Sequence, residues 1–229
     1  MRNFHLILMP LKVKRFLLIS SESKNYEVCL LFGHPKPSEG LKVLTPPVEG
    51  VSTYASHRGD HFFIKRRSDV CFNSELLACP VDNISATTVI LPHRESVNIE
   101  DFQVFLNHWV VLERVEGLPK LVVYDLPAIG QPLKGLGVGR PVDFVDPVYS
   151  VYLLDSQFSS NILRFSHSSL RTPPSVYAYD DMDTGKRVLK KTEAVCIDPI
   201  FKASRLSLLD RGVIFTIAHI RGGREMGRQ

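Results

Sequence analysis

Four cysteines, a single tryptophan and no long apolar run mark the 229-residue chain first by what it lacks. Cys29, Cys71, Cys79 and Cys196 show neither C-x-x-C nor Cys/His spacing, which excludes a zinc module. Free thiols in a reducing compartment are expected, and with them a cytoplasmic location. No metal site and no cofactor are expected. No apolar stretch approaches the roughly 18–20 residues that crossing a bilayer needs, so no membrane partner is expected. The opening "MRNFHLILMPLKVKRFLLIS" has the ingredients of a signal peptide. Pro10, Lys12, Lys14 and Arg15 split its apolar part, and no small-residue cleavage site follows, so its second apolar stretch reads as a strand.

Strong charge of one sign is also missing. A net charge of +4 is too small, without clustering, to imply nucleic acid. The densest basic cluster, "IKRRSD" at residues 64–69, could line a basic groove but reads better as a solvated turn between strands. "RGD" at residues 58–60 is a cell-adhesion triplet in another context. Here it falls where a hairpin turn belongs.

Long amphipathic helical patterns are almost absent before residue 195. What stands there is a succession of short segments rich in Val, Ile, Leu, Phe and Tyr, punctuated by Gly, Pro, Asn and Asp. Their order repeats. "HFFIKRR", "ELLACPVD" and "TTVILPH" are matched by "HWVVLERVEG", "KLVVYDLPAIG" and "QPLKGL", and again by "ILRFSHSSL", "SVYAYDDMDTG" and "KRVLKK". A further strand-like run precedes each set: "VSTYASH", "IEDFQVF" and "YSVYLLD". Asp82, Asp125 and Asp180 recur at matching places, at the period of propeller blades, and read as turn caps rather than metal ligands. Trp109 reads as packing within a strand. A worn copy, "RFLLISSES", "NYEVCLLF" and "LKVLTPP", comes first and is expected to lack its inner strand. The fold class expected is mainly β: a partial β-propeller of about four blades over residues 1–195.

The rhythm changes at residue 195. Ile200, Phe201, Leu206, Leu208 and Leu209 can share one helix face, Asp198 and Pro199 supply its start, and Gly212 its end. "VIFTIAHI" then reads as a strand buried on both faces, and a Gly-rich loop follows. Residues 196–229 are thus expected to begin an α/β domain. "FKASRLSLLDRGVIFTIAHIRGGREMG" resembles the prolyl oligopeptidase family of serine peptidases at the start of its α/β-hydrolase domain. The Arg-Gly-Gly and Glu-Met-Gly elements are most similar to the oligopeptidase B branch, as are "SHRGDHFFIKRRSD", "NSELLACPVDN" and "ILPHRES" to plant-like members of that branch. Arg224 departs from the family pattern, which has a glycine or another small residue there.

The resemblance implies a peptidase that cleaves short peptides after arginine or lysine, with the propeller acting as a size filter. It also implies a G-x-S-x-G elbow followed by Asp and His, and no G-x-S-x-G occurs in the chain. The family's tyrosine-bearing oxyanion turn has no counterpart between "KKTEAV" and "CIDPIF", so Val195–Cys196 reads as a deletion junction and the chain as a truncated relative. Ser204, Asp210 and His219 have the right chemistry, but Ser204 lies in a helical pattern without an elbow. No catalytic residue is therefore assigned, and the chain alone is expected to be inactive. A non-catalytic propeller scaffold is the alternative reading. Self-association through open strand edges is expected as well.

Overall fold

The computed structural model describes residues 5–10, 16–22, 27–33, 38, 40–133, 135–144, 146–169, 172–179 and 189–194. The elements expected beyond residue 195, including Ser204, Asp210 and His219, lie outside the described residues, as do Asp180 and the Val195–Cys196 step.

Sixteen strands are described, in four antiparallel sheets of four. The first sheet comprises β1 (His5–Pro10), β2 (Phe16–Glu22), β3 (Glu27–Gly33) and β4 (Leu41–Thr45). The second comprises β5 (Ser52–Arg58), β6 (His61–Arg67), β7 (Glu75–Pro80) and β8 (Thr88–Leu91). The third comprises β9 (Val97–Val104), β10 (His108–Val115), β11 (Leu118–Asp125) and β12 (Arg140–Val142). The fourth comprises β13 (Tyr149–Leu153), β14 (Leu163–Ser169), β15 (Ser175–Tyr179) and β16 (Leu189–Ala194). In every sheet the strands pair in sequence order, a simple meander.

Two expectations are corrected. The first sheet has its inner strand: β1 pairs with β2 from His5↔Glu22 to Pro10↔Leu17. Pro10 ends that strand rather than preventing it, because a proline is tolerated where no ladder N–H is required. In the third sheet, "QPLKGL" is not the outer strand. That place is taken by β12, paired through Leu121↔Val142 to Val123↔Arg140. At Gly139, where a Cβ would collide with Val122 and Tyr124, the missing side chain lets the chain come close alongside β11.

Turn chemistry sets the registers. Gly59, with φ of 60°, opens the two-residue turn joining Arg58 to His61, the glycine-first arrangement that suits strand twist. Glu116 and Gly117 both have positive φ, 51° and 79°, between β10 and β11. That pair of angles matches a type I′ hairpin turn.

The chain forms two compact units. The first holds the β1–β4 and β5–β8 sheets with segment 125–137; the second holds the β9–β12 and β13–β16 sheets. In the first unit Leu18 and Leu44 of one sheet pack with Ala55, Phe62, Ile64, Leu77 and Cys79 of the other. In the second, Phe105, Val110, Leu112, Leu121, Val123 and Val142 pack with Val151, Leu163, Phe165 and Tyr179. Each fully buried Phe or Leu in these layers contributes about 1.5–3 kcal/mol of transfer free energy. Burial on both faces explains why residues 76–79 of β7 and 109–112 of β10 are apolar throughout rather than alternating. Trp109 sits in that run, fully buried and edge-on to Phe102, as blade packing requires.

Candidate functional site

Chemistry-bearing side chains concentrate at three places, and each is held by the local turn. The first is the Arg-Gly-Asp turn. Arg58 is only 6% exposed, and its guanidinium donates to the Pro127 carbonyl at 2.5 Å. A Cβ on Gly59 would come within 2.6 Å of the Ile129 side chain, so segment 125–137 covers the turn closely. Burial lowers the Arg58 pKa, and the Asp60 charge works against that. Slight burial raises the Asp60 value, but the hydrogen bond to His61 at 2.7 Å, its own backbone N–H and the Arg58 charge bring it below the usual carboxylate range. An arginine locked in this way cannot serve adhesion, which needs both charges presented together.

The second place is the β6–β7 connection. "IKRRSD" is divided here: residues 64–67 complete β6, and only Ser68 and Asp69 enter the bend. Arg66 is not an open cation, since its Nε and Nη2 donate to Glu75 Oε1 at 2.8 and 2.6 Å. Asn73, Ser74 and Glu75 are consecutive, polar and buried. The Asn73 amide donates to the Arg94 and Glu95 carbonyls, tying this connection to the one after β8. Ser74 takes a φ of 68°, an uncommon value for a residue with a Cβ.

The third place is an aromatic cluster in the second unit. His167 on β14 stacks on Phe144 at 5.1 Å with an 8° interplanar angle, and meets Tyr149 at 5.4 Å and the edge of Tyr177 at 5.6 Å. The Tyr149 hydroxyl donates to the Pro119 carbonyl. Burial, with the Asp143 charge, raises its pKa.

None of these places has the makings of a nucleophile. The Ser68, Ser156, Ser160, Ser169 and Ser175 hydroxyls bond backbone groups of neighbouring turns. Cys79 is fully buried, and burial raises its thiol pKa, the opposite of a reactive thiolate. Both Cys71 and Cys79 are free. Asp82 and Asp125 are exposed, and among the described residues no group of three or more His, Cys, Asp or Glu could hold a metal ion.

The aromatic cluster and the Asn73 tie escape reading from the sequence. Phe144, Tyr149 and Tyr177 converge on His167 from a connection and two strands flanking β14, and only the register reveals it. The one signal available was the alternation of Phe165 and His167 on β14 with Tyr177 and Tyr179 on β15.

Comparison with known proteins places this architecture. The family model for the prolyl oligopeptidase N-terminal beta-propeller domain matches residues 12–193. Dipeptidyl aminopeptidase BI of Pseudoxanthomonas mexicana is 28% identical over 249 residues, covering 85% of this chain and 33% of that protein. Protease 2 of Moraxella lacunata is 20% identical, over 99% of this chain and 39% of its own length. The chain thus spans about a third of the length of the curated relatives it matches. Among solved structures, oligopeptidase B of Leishmania major superposes with a TM-score of 0.75 at 23% identity, covering 88% of this chain and 28% of that one. The closed form of Trypanosoma brucei oligopeptidase B, with covalently bound antipain, gives 0.72 at 23% identity over 83% and 28%. With the four-stranded meanders standing as blades and a family model covering most of its length, the chain belongs to the prolyl oligopeptidase family, and what it folds is that family's N-terminal β-propeller domain.

Proposed function

We propose that this chain supplies the propeller of an oligopeptidase B-like serine peptidase acting on short peptides after arginine or lysine, and that these 229 residues do not hydrolyse peptides by themselves. The observation that carries the reading is the match of residues 12–193 to the family's propeller, in a sequence without a G-x-S-x-G elbow. A propeller of meander blades has a central channel, and such a channel admits an extended peptide while excluding a folded protein. Its contribution to peptidase chemistry is therefore selection by size rather than attack on a carbonyl.

Catalytic arithmetic supports the inactivity of the chain alone. Without triad members, only about 10³–10⁴-fold acceleration over water survives in serine peptidases, and that residue depends on an oxyanion hole and binding site. The free Cys71 and Cys79 favour a reducing compartment, and the cytoplasm is the location proposed. The test is turnover of short fluorogenic peptides with Arg or Lys before the scissile bond. The purified chain should give the rate of buffer alone, and measurable saturable turnover would refute the proposal.

A further inference from the structure

His167 is 5% exposed, and neither of its ring nitrogens has a hydrogen-bond partner. An imidazole always carries at least one N–H, so this ring occupies its site with a donor unsatisfied even when neutral. Phenylalanine would fill an aromatic box at less cost, since buried polar groups are normally paired. The box is made of Phe144 from the β12–β13 connection, Tyr149 from β13 and Tyr177 from β15. The same connection carries Asp146, whose Oδ2 accepts from the Thr172 hydroxyl beyond β14.

We propose that His167 is a proton-operated catch: its neutral ring seats the β12–β13 connection against β14 and β15, and protonation releases that connection locally. A proton added to the buried ring produces a charge and two N–H donors without a hydrogen-bond partner. Opening gives both donors to water.

The groups around the ring set the direction. Asp143 and Asp146 lie on the connection, Tyr149 on β13 and Tyr177 on β15, and Lys191 of β16 stands opposite Tyr177 in register. Burial lowers the His167 pKa, and the Asp146 charge opposes this. The closed form therefore binds fewer protons than the open one. Its stability is full above the ordinary imidazole value of about 6.5 and falls as pH drops from there toward the lowered value. Within that window the opening equilibrium rises by up to about tenfold per pH unit.

Hydrogen exchange on the full chain, expressed as protection factors over residues 143–153 and 163–179, tests the catch between pH 7.5 and 5. Wild type should lose protection by up to about tenfold per unit below pH 6.5. His167→Phe should be flat with pH and at least as protected as wild type at pH 7.5. Asp146→Asn keeps an acceptor for Thr172 but removes the charge that favours the imidazolium in the closed form, so its loss of protection should begin at the same pH as in wild type, continue to lower pH and be larger at pH 5. Should His167→Phe not fold, the deeper loss in Asp146→Asn decides alone. Protection in wild type that does not change with pH, a His167→Phe protein as pH-sensitive as wild type, or an Asp146→Asn protein that loses no more protection at pH 5 than wild type would each overturn the proposal.

Discussion

Replacing Asn73 gives a sharp test of how the second blade is held. The side chain is 2% exposed, and its amide nitrogen spans two carbonyls, Arg94 at 3.1 Å and Glu95 at 2.8 Å. Asn73→Ala removes both bonds. At about 1 kcal/mol net per bond, with a further contribution from carbonyls left poorly paired, the expected loss is about 2–3 kcal/mol. Asn73→Asp has almost the same shape but no donor, so it turns a carboxylate oxygen toward two carbonyl oxygens. It should cost about 1–2 kcal/mol more than alanine, because a buried charge without partners is worse than an empty space. Backbone hydrogen exchange over β6 and β7 is the appropriate assay, since Trp109 fluorescence reports from the other unit. Protection there should fall roughly 30–150-fold for alanine, at tenfold per 1.4 kcal/mol. An aspartate variant as protected as wild type, or more protected than the alanine variant, would refute the reasoning.

Two further expectations concern the sheet edges. Gly139→Ala places a Cβ against Val122 and Tyr124, so it should lower stability by about 1–3 kcal/mol in urea unfolding followed by Trp109 fluorescence. A neutral result would mean that β12 does not depend on close approach. Leu41 and Val43 are each 51% exposed on β4, the last strand of its sheet. Exposed apolar edges invite pairing between chains. Sedimentation velocity should show concentration-dependent association that Val43→Lys reduces, and identical profiles for the two proteins would contradict this.

The blades were legible in the sequence because a strand between two covered faces must be apolar, and a tight hairpin must carry glycine or a residue that tolerates positive φ. "ELLACP" and "HWVVL" could hardly be anything else, and Gly59 marked its turn. What escaped had a different cause in each case. "HLILMP" has no counterpart to signal it in a worn first repeat, yet it pairs as β1, and a strand may end at a proline. "QPLKGL" reads as an outer strand by its position in the repeat, whereas the strand that pairs follows Gly139, which comes close to Val122. The aromatic box around His167 and the Asn73 tie depend on contacts between segments distant in sequence, for which no local pattern exists. The proposed inactivity rests on motif, since the sequence carries no G-x-S-x-G elbow.

A serine-directed fluorophosphonate probe tests the central claim most directly, namely that this chain is propeller without peptidase chemistry. Incubated with the purified 229-residue protein and read by intact mass, the probe should add nothing, because no serine here occupies a G-x-S-x-G elbow. Stoichiometric labelling of one serine, lost on its replacement by alanine, with Ser204 the first to examine, would contradict the account.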